Sequence, residues 1–155
     1  MNYRDFKPYS KISSLTLGGG GIGQVWGETT SKEAIKTVHA ALDHGINHFD
    51  VAPMYGKGEA ERVIGQSLNG LNLDNLFFTT KCQLGTLPDN EVYDKLNDSL
   101  TRSLDNMKLE KVNLFLLHSQ LIEDNYKLFK FDEMRAKSAT TLSCFFNAAI
   151  PAFER

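Results

Sequence analysis

Only two cysteines, Cys82 and Cys144, occur in the 155 residues. That is too few for a disulfide framework, and both are read as reduced thiols of a cytosolic protein. Neither sign of charge is in surplus. Seventeen Lys and Arg oppose nineteen Asp and Glu for a formal charge of −2. This balance excludes the basic footprint of a nucleic-acid binder and gives no acidic tail. No stretch approaches the ~18 uninterrupted apolar residues of a membrane span. The opening, MNYRDFKPYS, has no apolar core of a secretory signal. A cytoplasmic location is therefore expected, with neither nucleic acid nor membrane as partner. The sequence holds no internal repeat and no low-complexity tract. What is present is ordinary for a globular domain: 41% apolar and 23% charged residues, in a length that suits one compact domain with a core.

The periodicity predicts a helix over 31–44, with Ala34, Ile35, Val38, Ala41 and Leu42 on one face. Thr30 or Ser31 can cap its start, and Gly45 stands where a left-handed residue ends a helix. A second helix is expected from about Gly58 to Asn69, with Ala60, Val63, Ile64, Ser67 and Leu68 inward and Glu59 and Glu61 in a first turn that favours carboxylates. A third covers 89–107, with Val92, Leu96, Leu100, Leu104 and Met107 buried. Between them lie strand candidates at 46–51, 76–81 and 112–118, after a short extended piece that enters a glycine cluster. The run VNLFLLH shows no alternation, which predicts burial on both faces. Residues 119–141 read as an irregular loop, and 141–155 start like a helix that meets Pro151.

Strict β-α alternation calls for a parallel sheet with right-handed crossovers. An open doubly wound sheet and part of a (β/α)8 barrel both fit. Counting back by twos from Asp50, Lys81 and His118 gives one face per strand that ends in a polar tip. That suits a filled barrel interior with a reactive mouth.

Gly18, Gly20 and Gly23 satisfy G-x-G-x-x-G, and Asp43 follows Gly23 by twenty residues. A dinucleotide fingerprint requires a helix that opens within the glycines. The helix here is expected only near Ser31, so the cluster reads better as a loop that a ligand or cofactor can approach closely.

Asp50, Lys81 and His118 each end an expected strand, and Tyr55 lies in the loop after the first. Taken singly each has a plain structural reading: a capping or turn Asp, a surface Lys, a His at a core edge. Together they are chemically compatible. A tyrosine is a poor acid at neutral pH, with a usual pKa of about 10. A nearby ammonium favours the phenolate, and an aspartate can hold a partly buried lysine ionised. An imidazole can donate to a substrate oxygen. No side chain delivers a hydride, so carbonyl reduction by this set needs a nicotinamide cofactor. Lys81 at a strand end also admits a lyase reading through a Schiff base. His39, His44 and His48 are read as structural, the first two on a helix face and in a last turn, the third as a hydrogen-bonded interior residue.

The segment 45–65, G-INHFDVAPMYG-KGEAERVIG, resembles the signature of the aldo-keto reductase family. Lys81 in FFTTK and His118 in LFLLH fall at matching later positions, the opening 1–23 is similar to the family's hairpin and first strand, and PAFER resembles the end of its fourth helix. The resemblance implies an incomplete (β/α)8 TIM barrel: an N-terminal β-hairpin and about four βα units, in a single domain over 1–155. It implies NADPH-dependent reduction of an aldehyde or ketone, with small carbonyl substrates. By position Tyr55 would be the general acid, Lys81 its tuning charge, Asp50 the partner of Lys81, and His118 the group that orients the carbonyl. Gly20, Gly21 and Asp50 would touch cofactor, with Trp26 either near the ligand or a packing aromatic. No metal is implied.

A barrel of this type takes ~250 residues. Residues 124–140 match nothing in the pattern, and the later strands that grip the cofactor are outside the sequence. The alternative is thus a truncated or split member, inert by itself, that at most binds cofactor, a complementary half-barrel or a second copy. Little or no turnover is expected of the 155 residues alone.

Overall fold

The structure is a computed structural model that describes residues 1–9, 11–125 and 137–155. The chain divides into two compact units, Met1–Thr80 with Arg102–Phe115, and Lys81–Thr101 with Leu116–Arg155.

The first unit opens with an antiparallel hairpin of β1 (Tyr3–Asp5) and β2 (Lys11–Ser13), with Tyr3 opposite Ser13. One side chain ties it down. Asn47 Oδ1 accepts from Ser13 N–H at 2.7 Å, and Asn47 Nδ2 donates to the Lys11 and Asn75 carbonyls, each at 3.0 Å. Strand β3 (Leu17–Gly18) then runs parallel to β4 (His48–Asp50), and β4 parallel to β5 (Phe77–Cys82), with Gly18 beside Asp50 and Asp50 beside Thr79. The last strand in this four-stranded order is β6 (Leu114–Leu117). Beside it, Asn113 N–H donates to Phe78 O and, further along both strands, His118 N–H donates to Cys82 O.

Helix α2 (Ser31–Asp43) forms as the periodicity requires, with Ala34, Val38 and Ala41 buried. Its capping box is complete: Thr30 Oγ1 accepts from Glu33 N–H, while the Glu33 carboxylate accepts from Thr30 N–H and hydroxyl. Those bonds hold the Glu33 carboxyl below the usual glutamate range. Helix α3 (Glu59–Ser67) packs Ala60, Val63 and Ile64 onto Phe49, Val51 and Phe78, the centre of the core.

Glu61 departs from the expectation of a first-turn solvent carboxylate. It is fully buried, accepts from Thr80 Oγ1 at 2.7 Å and from Asn106 Nδ2 at 3.0 Å, and so joins α3 to β5 and to helix α4 (Val92–Met107). The position was inward by spacing, because Ile64, Gly65 and Leu68 follow it at i+3, i+4 and i+7. Along α4, Val92, Leu96 and Met107 are buried as expected, Leu100 and Leu104 are only half-buried, and Ser99 and Ser103 are buried in addition.

Three further expectations change. The glycine cluster is not a loop but one helical turn, α1 (Gly19–Ile22). The strand in VNLFLLH is not buried on both faces: Leu114, Phe115 and Leu117 are half-buried and Leu116 is exposed, and among the described residues β6 ends the strand order. The stretch 119–141 is not wholly irregular. It contains β7 (Leu121–Ile122), which pairs with β8 (Thr140–Thr141) in the second unit, while residues 126–136 lie outside the described set.

The second unit closes with a helical turn, α5 (Leu142–Cys144), a π-helical turn (Phe145–Ala149) and α6 (Ile150–Phe153). Ile150 N–H reaches five residues back to Phe145 O, and Pro151 sits in the first turn of α6, where its missing donor is harmless. Cys82 and Cys144 are both buried; burial, then the nearby Asp89 carboxylate, pushes the Cys144 thiol up. No helix among the described residues is long and apolar enough to cross a membrane.

Two stability predictions follow from these contacts. Glu33 is depressed in the folded state, so its contribution is present above its unfolded pKa and is lost as pH falls through the folded value. The gap in thermal midpoint between wild type and Thr30→Ala should therefore shrink between about pH 6 and about pH 3; a constant gap contradicts the box. Removing the buried carboxylate with Glu61→Ala leaves two donors unpaired and a hole, at a cost of about 2–5 kcal/mol. Glu59→Gln removes only a partly exposed ion pair with Arg62, worth less than about 1 kcal/mol. Equal urea midpoints for the two variants would refute the assignment.

Candidate active site

Asp50, Lys81 and His118 sit at or next to the end of a strand, and Tyr55 lies in the turn after the first of these. In the first unit Asp50 is the last residue of β4, half-buried, and Val51 N–H donates to Thr79 O at 2.9 Å just beyond it. Tyr55 follows in a turn closed by its N–H to Ala52 O at 3.0 Å, and its carbonyl accepts from Ala60 N–H in the first turn of α3. The ring packs half-buried against the core. The structure thus brings Asp50 and Tyr55 to one place: a Cβ built on Gly19 would lie 3.2 Å from both the Asp50 carbonyl oxygen and Tyr55 Cδ2.

In the second unit Lys81 is the penultimate residue of β5 and only 9% exposed. His118 comes directly after β6, half-buried, and its N–H donates at 2.7 Å to the carbonyl of Cys82, the neighbour of Lys81. Ser119 Oγ accepts from Leu84 N–H at 3.0 Å and so fixes the segment that leaves β5. Lys81 and His118 are therefore adjacent in backbone terms.

Beneath the strand tips the interior is more polar than expected. Thr16 Oγ1 bonds His48 Nδ1 at 2.9 Å, and His48 Nε2 bonds Thr79 Oγ1 at 2.8 Å. The row runs from exposed Thr16, just before β3, through His48 in β4 to Thr79 in β5, and His48 shares a face with Asp50 by parity. His48 is thus a hydrogen-bonded interior residue. His44 bonds Ala40 O in the last turn of α2, and His39 bonds Ser67 O across to α3. Sequence reasoning did not find Thr16 or Thr79; the signal available was a Thr at i−2 from Lys81 on the same face as a His at i−2 from Asp50.

Of the glycines expected to meet a cofactor, Gly21 presents open backbone, with nothing within 4 Å of a built Cβ. Gly20 is covered: Trp26, itself 82% exposed, lays its ring over it, with Cη2 at 2.8 Å from a built Cβ. Gly23 abuts the Tyr55 backbone, and the helical turn α1 opens within the glycines, whereas the sequence pattern predicts a helix only near Ser31.

Comparison with known proteins bears on the family and the fold. The family model described as Aldo/keto reductase family matches residues 14–133, which takes in part of the stretch 124–140 that the sequence motifs leave unmatched. Aldo-keto reductase YhdN of Bacillus subtilis is 31% identical over 115 residues, which cover 70% of this chain and 34% of that protein. L-galactose dehydrogenase of Arabidopsis thaliana is 26% identical over 110 residues, again 70% and 34%. Among solved structures, the thermostable aldo-keto reductase Tm1743, crystallised with the inhibitor epalrestat, superposes with a TM-score of 0.63 at 29% identity, covering 77% of this chain and 43% of that one. The chain spans about a third of the length of the curated relatives it matches. Its parallel strands and helices form an incomplete (β/α)8 barrel. From the match to more than half of its residues, the chain belongs to the aldo-keto reductase family.

Proposed function

We propose that this chain carries the proton-donating part of a nicotinamide-dependent carbonyl reductase, with NADPH as cofactor and a small aldehyde or ketone as substrate. The observation that carries the reading is the placement of Asp50, Lys81 and His118 each at the C-terminal end of its strand, with Tyr55 in the turn after the first. In parallel α/β folds that end is where reactive groups are displayed.

In this reading Tyr55 gives its hydroxyl proton to the carbonyl oxygen as the alcohol forms. Lys81 supplies positive charge that favours the phenolate left behind, and Asp50 holds Lys81 ionised. His118 donates to the carbonyl oxygen and orients it. A bound nicotinamide would supply the hydride. The residues present fit such a group in part: Gly21 offers uncovered backbone, and Asp50 ends the neighbouring strand, whereas Gly20 is reached only if Trp26 swings aside.

A second reading, a member inert by itself that binds cofactor or a completing half-barrel, is favoured by the half-exposed apolar β6. Cytoplasmic residence is part of the proposal and rests on two buried cysteines, too few for a disulfide framework.

Two measurements test this. Trp26 is the sole tryptophan, so titration with NADPH should change its fluorescence; an unchanged signal with no binding by calorimetry contradicts the cofactor assignment. With an aromatic aldehyde and NADPH, whatever turnover the chain supports should fall by about 100- to 10,000-fold in Tyr55→Phe. Turnover that survives that change removes Tyr55 as the acid. Cofactor binding with no wild-type turnover selects the second reading.

A further inference from the structure

We propose that Gly19 and Gly23 are positioning residues for Tyr55: they let the first βα turn lie backbone to backbone against the turn that carries the phenol. Gly23 adopts φ −95° and ψ 10°, which any residue can reach, so its conformation does not demand glycine. Its surroundings do. A Cβ there would sit 2.9 Å from the Tyr55 carbonyl oxygen and 3.0 Å from the Tyr55 carbonyl carbon, both rigid backbone atoms. A Cβ on Gly19 would meet Val51 Cγ1 at 2.8 Å and the edge of the Tyr55 ring at 3.2 Å. From the other side, a Cβ on Gly56 would overlap the Gly23 carbonyl oxygen, and Gly56 already requires a left-handed φ of 65°.

Tyr55 has no easy way to yield. Its carbonyl accepts from Ala60 N–H at the start of α3, and its N–H donates to Ala52 O. A methyl at Gly23 must push that carbonyl off the helix start and turn the ring with it. Gly18, by contrast, has φ −79° and nothing within 4 Å of a built Cβ. The glycine run therefore contains two positions, Gly19 and Gly23, that meet Tyr55, and others, Gly18 among them, that do not. The catalytic consequence rests on Tyr55 as the acid proposed above; the geometric claim stands without it.

The test is NMR of the chain labelled with 13Cζ-tyrosine, which reports all five tyrosines, with Tyr55 assigned through Tyr55→Phe. In Gly23→Ala the Tyr55 resonance should move while the other four stay in place. In Gly18→Ala all five should stay. A stationary Tyr55 resonance in folded Gly23→Ala, or an equal shift in Gly18→Ala, overturns the proposal. Should Gly23→Ala lose its circular dichroism, the same reading is taken on Gly19→Ala. The wild type must also show a nuclear Overhauser contact between Gly19 Hα and the Tyr55 ring; its absence refutes the cradle. Where turnover is measurable, Gly23→Ala should lower kcat with KM little changed and Gly18→Ala should leave both unaltered. A wild type with no turnover counts against the reductase reading only, and the resonances then decide this one.

Discussion

A single buried carboxylate organises the first unit. Glu61 has no exposed surface, yet it is not a defect, because a strand hydroxyl and a helix amide donate to it. A buried acceptor with its donors in place contributes modestly, whereas the same donors left alone are costly. That asymmetry makes the contact directional. The bond ties helix α3 to β5 at Thr80, the residue before Lys81. The outward face of β5 is thereby pinned while its inward face carries the polar groups.

The inward face uses a second polar device. Thr16, His48 and Thr79 form a bonded row where an apolar layer was expected. Such a row satisfies the imidazole at both nitrogens and sets the side-chain layer on which Asp50 stands by parity. Tyr55 is set differently, through backbone contact with glycines whose side chains are missing. The strand tips are thus held by three means: a buried acid, a hydroxyl–imidazole row and close backbone packing.

Much of this was legible in the residues. Helices α2, α3 and α4 follow from stripes such as Ala34–Val38–Ala41, and Thr30 announces its own cap. The parallel order follows from alternation of strands and helices. The chemistry-bearing residues were visible as polar endings of apolar runs. The failures also have physical causes. Four successive glycines carry no hydrophobic period, so nothing marked α1 as helical. The burial of Glu61 was obscured because a glutamate in a first turn has a sound dipole explanation in water. The run VNLFLLH encodes a two-sided environment, and β6 in the described residues has a neighbour on one side. Asn47, with bonds to Ser13, Lys11 and Asn75, looked like any strand-edge amide.

If Glu61 and the hairpin anchor hold the strand layer, the amides that bridge its strands open last. Native-state hydrogen exchange reads this directly at Val51, bonded to Thr79 O, at Phe77, bonded to Asn47 O, and at Phe78, bonded to Asn113 Oδ1. The account predicts that all three exchange only through global unfolding, with the same denaturant dependence. Exchange of Phe77 and Phe78 through a local opening, well before α2 is lost, would contradict it.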